Sequence, residues 1–344
     1  MKQRCLEFSA PGKVAVITRP APRPAADQVM VQTHYSAISP GTEMLVYRGQ
    51  WPHGVPVDAT IDALSGDFAY PLTYGYCAVG RVIAAGHAVN GEWLNRRVFA
   101  FQPHQSLFCV KPAALHSIPD DLDDETAVFL PSMETAVNLL LDGNPLIGEK
   151  VCVIGQGIIG LLTTALLSRF PLDALVTMDC YPLRRQAALR IGAGECHDPQ
   201  KPDAVARLSQ GPGQGGQADL VYELSGNPAA LDTALELVRF SGRVVVGSWY
   251  GTKRVELDLG AFFHRGRVSL ISSQVSSIAP RLTGRWPQRR RLDLAWEMLR
   301  QVRPRDCITH RFALDEAASA YALLDQRPGE TIQVIFDHRP ADKA

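Results

Sequence analysis

Between residues 28 and 35 the chain alternates strictly. Val29, Val31, Thr33 and Tyr35 fall on one parity, and Gln28, Met30, Gln32 and His34 on the other. A period of two is the mark of a half-buried strand. AVGRVIAAG, RRVFAF and SLFCVKP are further short runs of this kind, set among prolines and glycines. The first 120 residues are therefore expected to form a β-rich unit. No pattern recurs with a period of about 20–50 residues, which excludes a solenoid.

From about residue 120 the texture changes. Asp120–Asp124 precede a helical stretch, ETAVFLPSMETAVNLLL, which Pro131 is expected to break. Apolar strands then alternate with helices. VCVI leads to GIIGLLTTALLSRF, ALVTMD to RRQAALRIG, and ADLVYEL to PAALDTALELVRF, before RVVVGS and VSLISS. Such alternation predicts a parallel sheet covered on both faces. GPGQGGQ (211–217) is expected to be an exposed loop within it. After the last of these strands come two helices, in LDLAWEMLR and LDEAASAYALLD, and a final strand, TIQVIFD. The expected organisation is one discontinuous unit, 1–120 with 276–344, and a central unit, 121–275.

Length and charge narrow the function. A chain of 344 residues suits about two domains. Its 35 basic and 35 acidic residues cancel, so no net field favours nucleic acid or an anionic membrane. The N-terminus MKQRCLEFSAPGKVAV lacks the apolar core of a signal peptide. Val151–Leu167 is apolar, but its glycines, Gln156, Thr163 and Thr164 suit a strand–turn–helix better than a membrane span. Seven scattered cysteines without a C-x-x-C pair are expected to be reduced thiols of a cytoplasmic protein.

KVCVIGQGIIG (150–160) carries the chemistry. G-x-G-x-x-G follows a strand and opens a helix. In that setting Gly155 permits a tight turn, Gly157 a close approach to a pyrophosphate, and Gly160 close packing of helix on strand. The amides of Ile158 and Ile159, at the helix N-terminus, would face the phosphates. Asp179 ends the next strand, 19 residues after Gly160, where a carboxylate accepts hydrogen bonds from the adenosine ribose. A carboxylate repels a 2′-phosphate, so NAD is expected over NADP. Arg184 and Arg185 leave that choice open, since an arginine there either lines an adenine pocket or holds a 2′-phosphate.

The order of units and several local patterns resemble the medium-chain dehydrogenase/reductase superfamily over nearly the whole chain. The patterns are SAISPGTE (36–43), YGYCAVGRV (74–82), METAVNLL (133–140), DLVYELSG (219–226) and GRVVVGS (242–248). SSQVSSIAP (272–280) and W-x-x-R-R-R-x-x-L-A (286–295) also resemble a zinc-lacking branch that includes 2-desacetyl-2-hydroxyethyl bacteriochlorophyllide a dehydrogenase. The resemblance implies an α/β fold, a GroES-like β-rich catalytic domain with a doubly wound Rossmann domain. It implies that Thr135 meets the nicotinamide carboxamide and that Ser225 and Gly247 flank the cofactor. Its metal pattern breaks here. The cysteine position falls on Pro40, the histidine on Tyr76 and the adjoining glutamate on Cys77, while Pro131–Met133 offers no third ligand. The four-cysteine structural loop is reduced to Cys109. No zinc is expected, unless Glu43, Cys77, Glu134 or His53 make a rearranged site.

Without a metal, a side chain must handle the proton. Tyr76 is the first candidate, either as a base with a lowered pKa or as filler of the empty metal space. Thr42 is either a relay hydroxyl or a turn cap. Glu43 is a base or, as preferred, the partner of an arginine such as Arg48. Glu134 is a base or, as preferred, a helix-surface carboxylate. Trp51 and His53 lie in a proline–glycine stretch that either covers substrate or is solvated. Arg281, Arg285, Arg289, Arg290 and Arg291 form a solvated face or an anion site. The leading expectation is an NAD-dependent, metal-independent oxidoreductase for a secondary alcohol or ketone of a small organic or secondary-metabolite substrate. It would be a homodimer joined near the edge strand at 268–273. An NADPH-dependent enoyl or quinone reductase and a non-catalytic cofactor-binding protein are the alternatives.

Overall fold

The computed structural model describes residues 1–58, 60–210 and 216–339. Residues 211–215 of the glycine-rich stretch lie outside it. The chain opens with an antiparallel hairpin, β1 (Lys2–Ala10) on β2 (Lys13–Pro20). β3 (Val29–Ala37) shows the expected alternation, with Val29, Val31, Thr33 and Tyr35 buried. Then come α1 (Thr42–Tyr47), β4 (Ala78–Ala85), β5 (Arg97–Ala100), β6 (Leu107–Val110), β7 (His116–Ser117) and α2 (Asp124–Ala127).

Asp123 caps α2, its carboxylate accepting from Thr126 N at 2.6 Å. The helical stretch is broken at Pro131 as expected: α2 ends at Ala127, and Pro131 is the second residue of α3 (Leu130–Gly143), in the first turn, where a missing N–H costs no helical bond. The central unit continues with β8 (Lys150–Ile154), α4 (Ile158–Leu167), β9 (Ala174–Met178), α5 (Pro182–Ile191), β10 (Glu195–His197), α6 (Pro202–Ser209), β11 (Ala218–Glu223), α7 (Ala230–Leu237), β12 (Val238–Val246), β13 (Ser269–Ser272) and α8 (Gln288–Val302). The helix expected through Phe240 stops at Leu237. Val238 instead pairs with Ala218 of β11, so sheet pairing overrides the helical period. The chain closes with β14 (Ile308–Ala313), α9 (Ala317–Gln326) and β15 (Gln333–Asp337).

The chain forms two compact units, Met1–Phe129 with Ile308–Ala344, and Leu130–Cys307. The first holds a sheet ordered β14-β15-β3-β4-β5-β7, with β6 also on β3. β15 and β3 pair antiparallel, so the C-terminal strand completes the sheet begun near the N-terminus. The second unit holds a six-stranded sheet ordered β10-β9-β8-β11-β12-β13, parallel throughout. Val151 and Val153 of β8 enter one apolar core, and Cys152 and Ile154 another. Both faces of the sheet are therefore covered, as an unbroken apolar strand requires. The strand order reverses between β8 and β11, the doubly wound arrangement of a Rossmann fold. Together the units give an α/β fold with a GroES-like β-rich domain.

Both boundaries differ from expectation: residues 121–129 were expected in the central unit but belong to the first. Residues 276–307 were expected with the first unit, but they belong to the second, because α8 packs along α3. Among the described residues no helix is long and apolar enough to cross a membrane.

Candidate active site

The glycine loop runs from the end of β8 into α4, at the reversal of strand order. Gly155 has φ +91°, and a Cβ there would stand 2.6 Å from the Ser225 backbone. A Cβ on Gly160 would stand 1.8 Å from Gly155 O. Both positions therefore exclude a side chain. At Gly157 the same test finds only Arg184 Nη1, at 3.9 Å, so the loop is open where a pyrophosphate would approach. The first amides of α4, Ile158 and Ile159 among them, have no carbonyl within the helix to bond.

Gln156 is a residue the sequence reading passed over. It is fully buried. Its Nε2 donates to Val153 O and Gly155 O, both at 3.2 Å, and its Oε1 accepts from Thr164 Oγ1 at 3.0 Å. Its backbone N donates to Asp179 Oδ2 at 2.7 Å, and Tyr181 N donates to Asp179 Oδ1 at 2.8 Å. Asp179 thus ties the loop to the end of β9, and each carboxylate oxygen keeps lone-pair capacity for a ligand hydroxyl. Arg185 is committed elsewhere. It donates to Asp179 O and Cys180 O, each at 2.8 Å, and pairs with Asp198 at 3.3 Å. Arg184 stacks over the Tyr181 ring at 5.0 Å, beside Gly157. These residues fit a dinucleotide.

Ser225 and Gly247 follow the carboxyl ends of β11 and β12. Glu223, fully buried and unforeseen, organises the Ser225 turn. Its carboxylate accepts from Ser225 N at 2.8 Å and from the Ser225 and Tyr250 hydroxyls. Burial and Glu223 together push the Tyr250 phenol up. A Cβ on Gly247 would meet Leu224 at 2.5 Å. Thr135 is half-buried, and its hydroxyl donates to Pro131 O at 2.9 Å. Glu134 is not on a helix surface. It is buried, and its Oε1 lies 2.9 Å from Arg291 Nη2 and 3.1 Å from Arg291 Nε. Burial raises its pKa and Arg291 opposes that. The arginine run also divides: Arg291 is buried, Arg281 donates to Leu141 O and Asp142 O, Arg290 stacks on Trp286, and Arg289 faces solvent.

In the other unit, the hydroxyls of Tyr76, Ser39 and Thr42 gather at the start of α1. Tyr76 donates to Ser39 Oγ and lies 3.4 Å from Thr42 Oγ1. All three are half-buried. Burial pushes the Tyr76 phenol up to about 12, only partly offset by the two hydroxyls, so its pKa is not the lowered one a base needs. Glu43 does not pair with Arg48, whose partner is Asp325 at 2.7 Å. Glu43 is fully buried. Its Oε1 accepts from Ser39 N at 2.8 Å, and its Oε2 meets His104 Nε2 at 2.9 Å and accepts from the Tyr321 hydroxyl. His104 Nδ1 lies 2.7 Å from Ser36 Oγ, which lies 2.8 Å from His338 Nε2. This buried chain joins residues up to 302 positions apart, and nothing local in the sequence announces it.

Cys77 donates to Val128 O at 3.1 Å, and burial pushes its thiol up to about 12. His53 is exposed, while Trp51 is buried and stacked on Phe68 at 5.0 Å, anchoring its own loop. Among the described residues no three His, Cys, Asp or Glu side chains gather as metal ligands.

Residues 159–292 match the family model described as zinc-binding dehydrogenase. D-guloside 3-dehydrogenase of Escherichia coli K12 is 24% identical over 90% of this chain and 92% of its own length. A short chain alcohol dehydrogenase from E. coli CFT073, solved with NADH, superposes with a TM-score of 0.77 and 19% identity, over 98% of this chain and 99% of that one. A putative zinc-binding dehydrogenase from Sinorhizobium meliloti 1021, solved with NADP, gives the same score, identity and coverage. With the glycine loop, the strand order and these matches in hand, the chain is similar to zinc-binding dehydrogenases over residues 159–292 and shares the fold of alcohol dehydrogenase-like proteins over nearly its whole length.

Proposed function

We propose that this chain is an NAD(H)-linked dehydrogenase that interconverts a secondary alcohol and a ketone without a catalytic zinc. The observation that carries the proposal is Asp179, a carboxylate at the end of β9 tied to Gln156 N of the glycine loop, next to the open position at Gly157. It suits a ribose diol and repels a 2′-phosphate. The substrate class is a hydroxyl-bearing small molecule of the sugar or polyol kind, a choice supported by the likeness to D-guloside 3-dehydrogenase.

When bound, the nicotinamide accepts or returns the hydride. The chain's part is to hold the dinucleotide on the glycine loop and to manage the proton. The Tyr76 phenol, with a pKa raised to about 12, suits donating a hydrogen bond or a proton to a carbonyl oxygen. Ser39 and Thr42 orient that phenol, and Glu43 fixes Ser39 through its backbone N–H. A zinc does not fit the matched positions, because Pro40 has no side-chain ligand atom, the Tyr76 hydroxyl donates to Ser39 Oγ and the Cys77 thiol is turned to Val128 O. The zinc-binding family model matches 159–292, away from those positions.

A second reading, an NADPH-dependent enoyl or quinone reductase, is favoured by Arg184 beside Gly157. The test is turnover of NAD⁺ with a panel of polyols and sugar glycosides, before and after exhaustive chelation. The expected result is a rate unchanged by chelation. Loss of rate restored by zinc would contradict the metal-free mechanism.

A further inference from the structure

A doubly wound sheet is two mononucleotide-binding halves. Here β8, β9 and β10 form one, with Asp179, and β11, β12 and β13 the other. Ligands of such sheets bind outside the carboxyl ends of the strands. The segment leaving the carboxyl end of β13, residues 273–277, is held by side chains from two helices. Ser273 Oγ donates to Asp142 Oδ2 of α3 at 2.6 Å. Arg291, in the first turn of α8 and 2% exposed, donates from Nη2 to Val275 O at 2.5 Å and from Nη1 to Ser277 O at 3.2 Å. Its remaining capacity goes to α3: Glu134 Oε1 at 2.9 and 3.1 Å, and Asn138 Oδ1 at 2.7 Å.

Burying an ion pair is a poor way to gain stability, since an apolar pair of the same volume often does as well. What the guanidinium supplies, and an apolar side chain cannot, is a planar fork that fixes two backbone carbonyls against one carboxylate. We infer that Arg291 is a positioning residue for the nicotinamide half of the dinucleotide: by clamping Val275 and Ser277 to α3 it sets the wall formed by residues 273–277. The inference rests on the proposed NAD(H) reading. The adenosine half depends on Asp179 and the glycine loop, which Arg291 does not touch.

The two halves can be separated by ligand. NADH contains both, and ADP-ribose lacks the nicotinamide. Dissociation constants for each would be measured on the full chain, on Arg291→Lys, and on the double variant Arg291→Met with Glu134→Met. Lysine keeps the charge but loses the fork. The double variant removes both charges of the buried pair, so neither Arg291 nor Glu134 is left as an unpaired buried charge, and the ADP-ribose titration reports on the fold of the rest of the site. For both variants NADH binding should weaken by about tenfold or more, the scale of a lost charge-assisted hydrogen bond. ADP-ribose binding should stay within about twofold of the unmodified chain. Equal weakening of both ligands, or no change in either, would overturn the inference and leave the cofactor reading standing. Failure of the unmodified chain to bind NADH would overturn both.

Discussion

Tyr76 stands where the resemblance set out from the sequence implies a metal-binding histidine, and its hydrogen-bond neighbours are hydroxyls rather than charges. Its raised pKa keeps it a phenol near neutrality, the donor that the proposed mechanism uses. Tyr76→Phe should therefore lower kcat by about 10²–10⁴-fold, the usual contribution of a positioned acid, while leaving NADH affinity unchanged. Steady-state rates and a binding titration on the same preparation check this, and an unaltered kcat would remove Tyr76 from the mechanism. Asp179 and the three loop glycines were legible because their chemistry lies in a local spacing. Glu43 was legible as a residue of interest but not in its contacts. Its partners His104 and Tyr321 lie 61 and 278 positions away, and only the folded sheet joins them.

At the scale of elements, β15 lies on β3 and carries His338 to Ser36, closing the buried chain that ends at Glu43. Burial and the neighbouring His104 push His338 down to about 3. Between that value and the ordinary 6.5 the unfolded chain binds a proton that the folded chain refuses. Stability conferred by neutral His338 is therefore present above about pH 6.5 and is lost as pH falls toward 3, at up to about 1.4 kcal/mol per pH unit. Denaturant unfolding between pH 7 and 4 should show a shallower loss of stability in His338→Gln, by about one proton. An identical slope in both proteins would show that His338 titrates normally. The central strands followed from pattern alone, because β8 and β9 are largely apolar runs, whereas β10, Glu195–His197, carries no apolar pattern and went unread. The misjudged end of α7 has another cause: Val238–Phe240 fits a helix locally, and pairing with β11 decides otherwise. Pro131 marked the break between α2 and α3 correctly, because a proline is tolerated in the first turn of a helix and not in its interior.

For the whole molecule, a doubly wound sheet with a β-rich companion unit was readable from the alternation of strands and helices, and the boundary at residues 276–307 was not. That boundary depends on the packing of α8 on α3, through the buried Arg291–Glu134 pair that sequence alone had read as surface charge. The central claim is that the glycine loop and Asp179 form an NAD(H) site. A fluorescence titration of the purified chain with NADH and, separately, NADPH tests it most directly. The account predicts that NADH binds at least about tenfold more tightly, the effect of a carboxylate facing a 2′-phosphate. Tighter NADPH binding would give the site to Arg184 and favour the reductase reading, and binding of neither would contradict the enzymatic account as a whole.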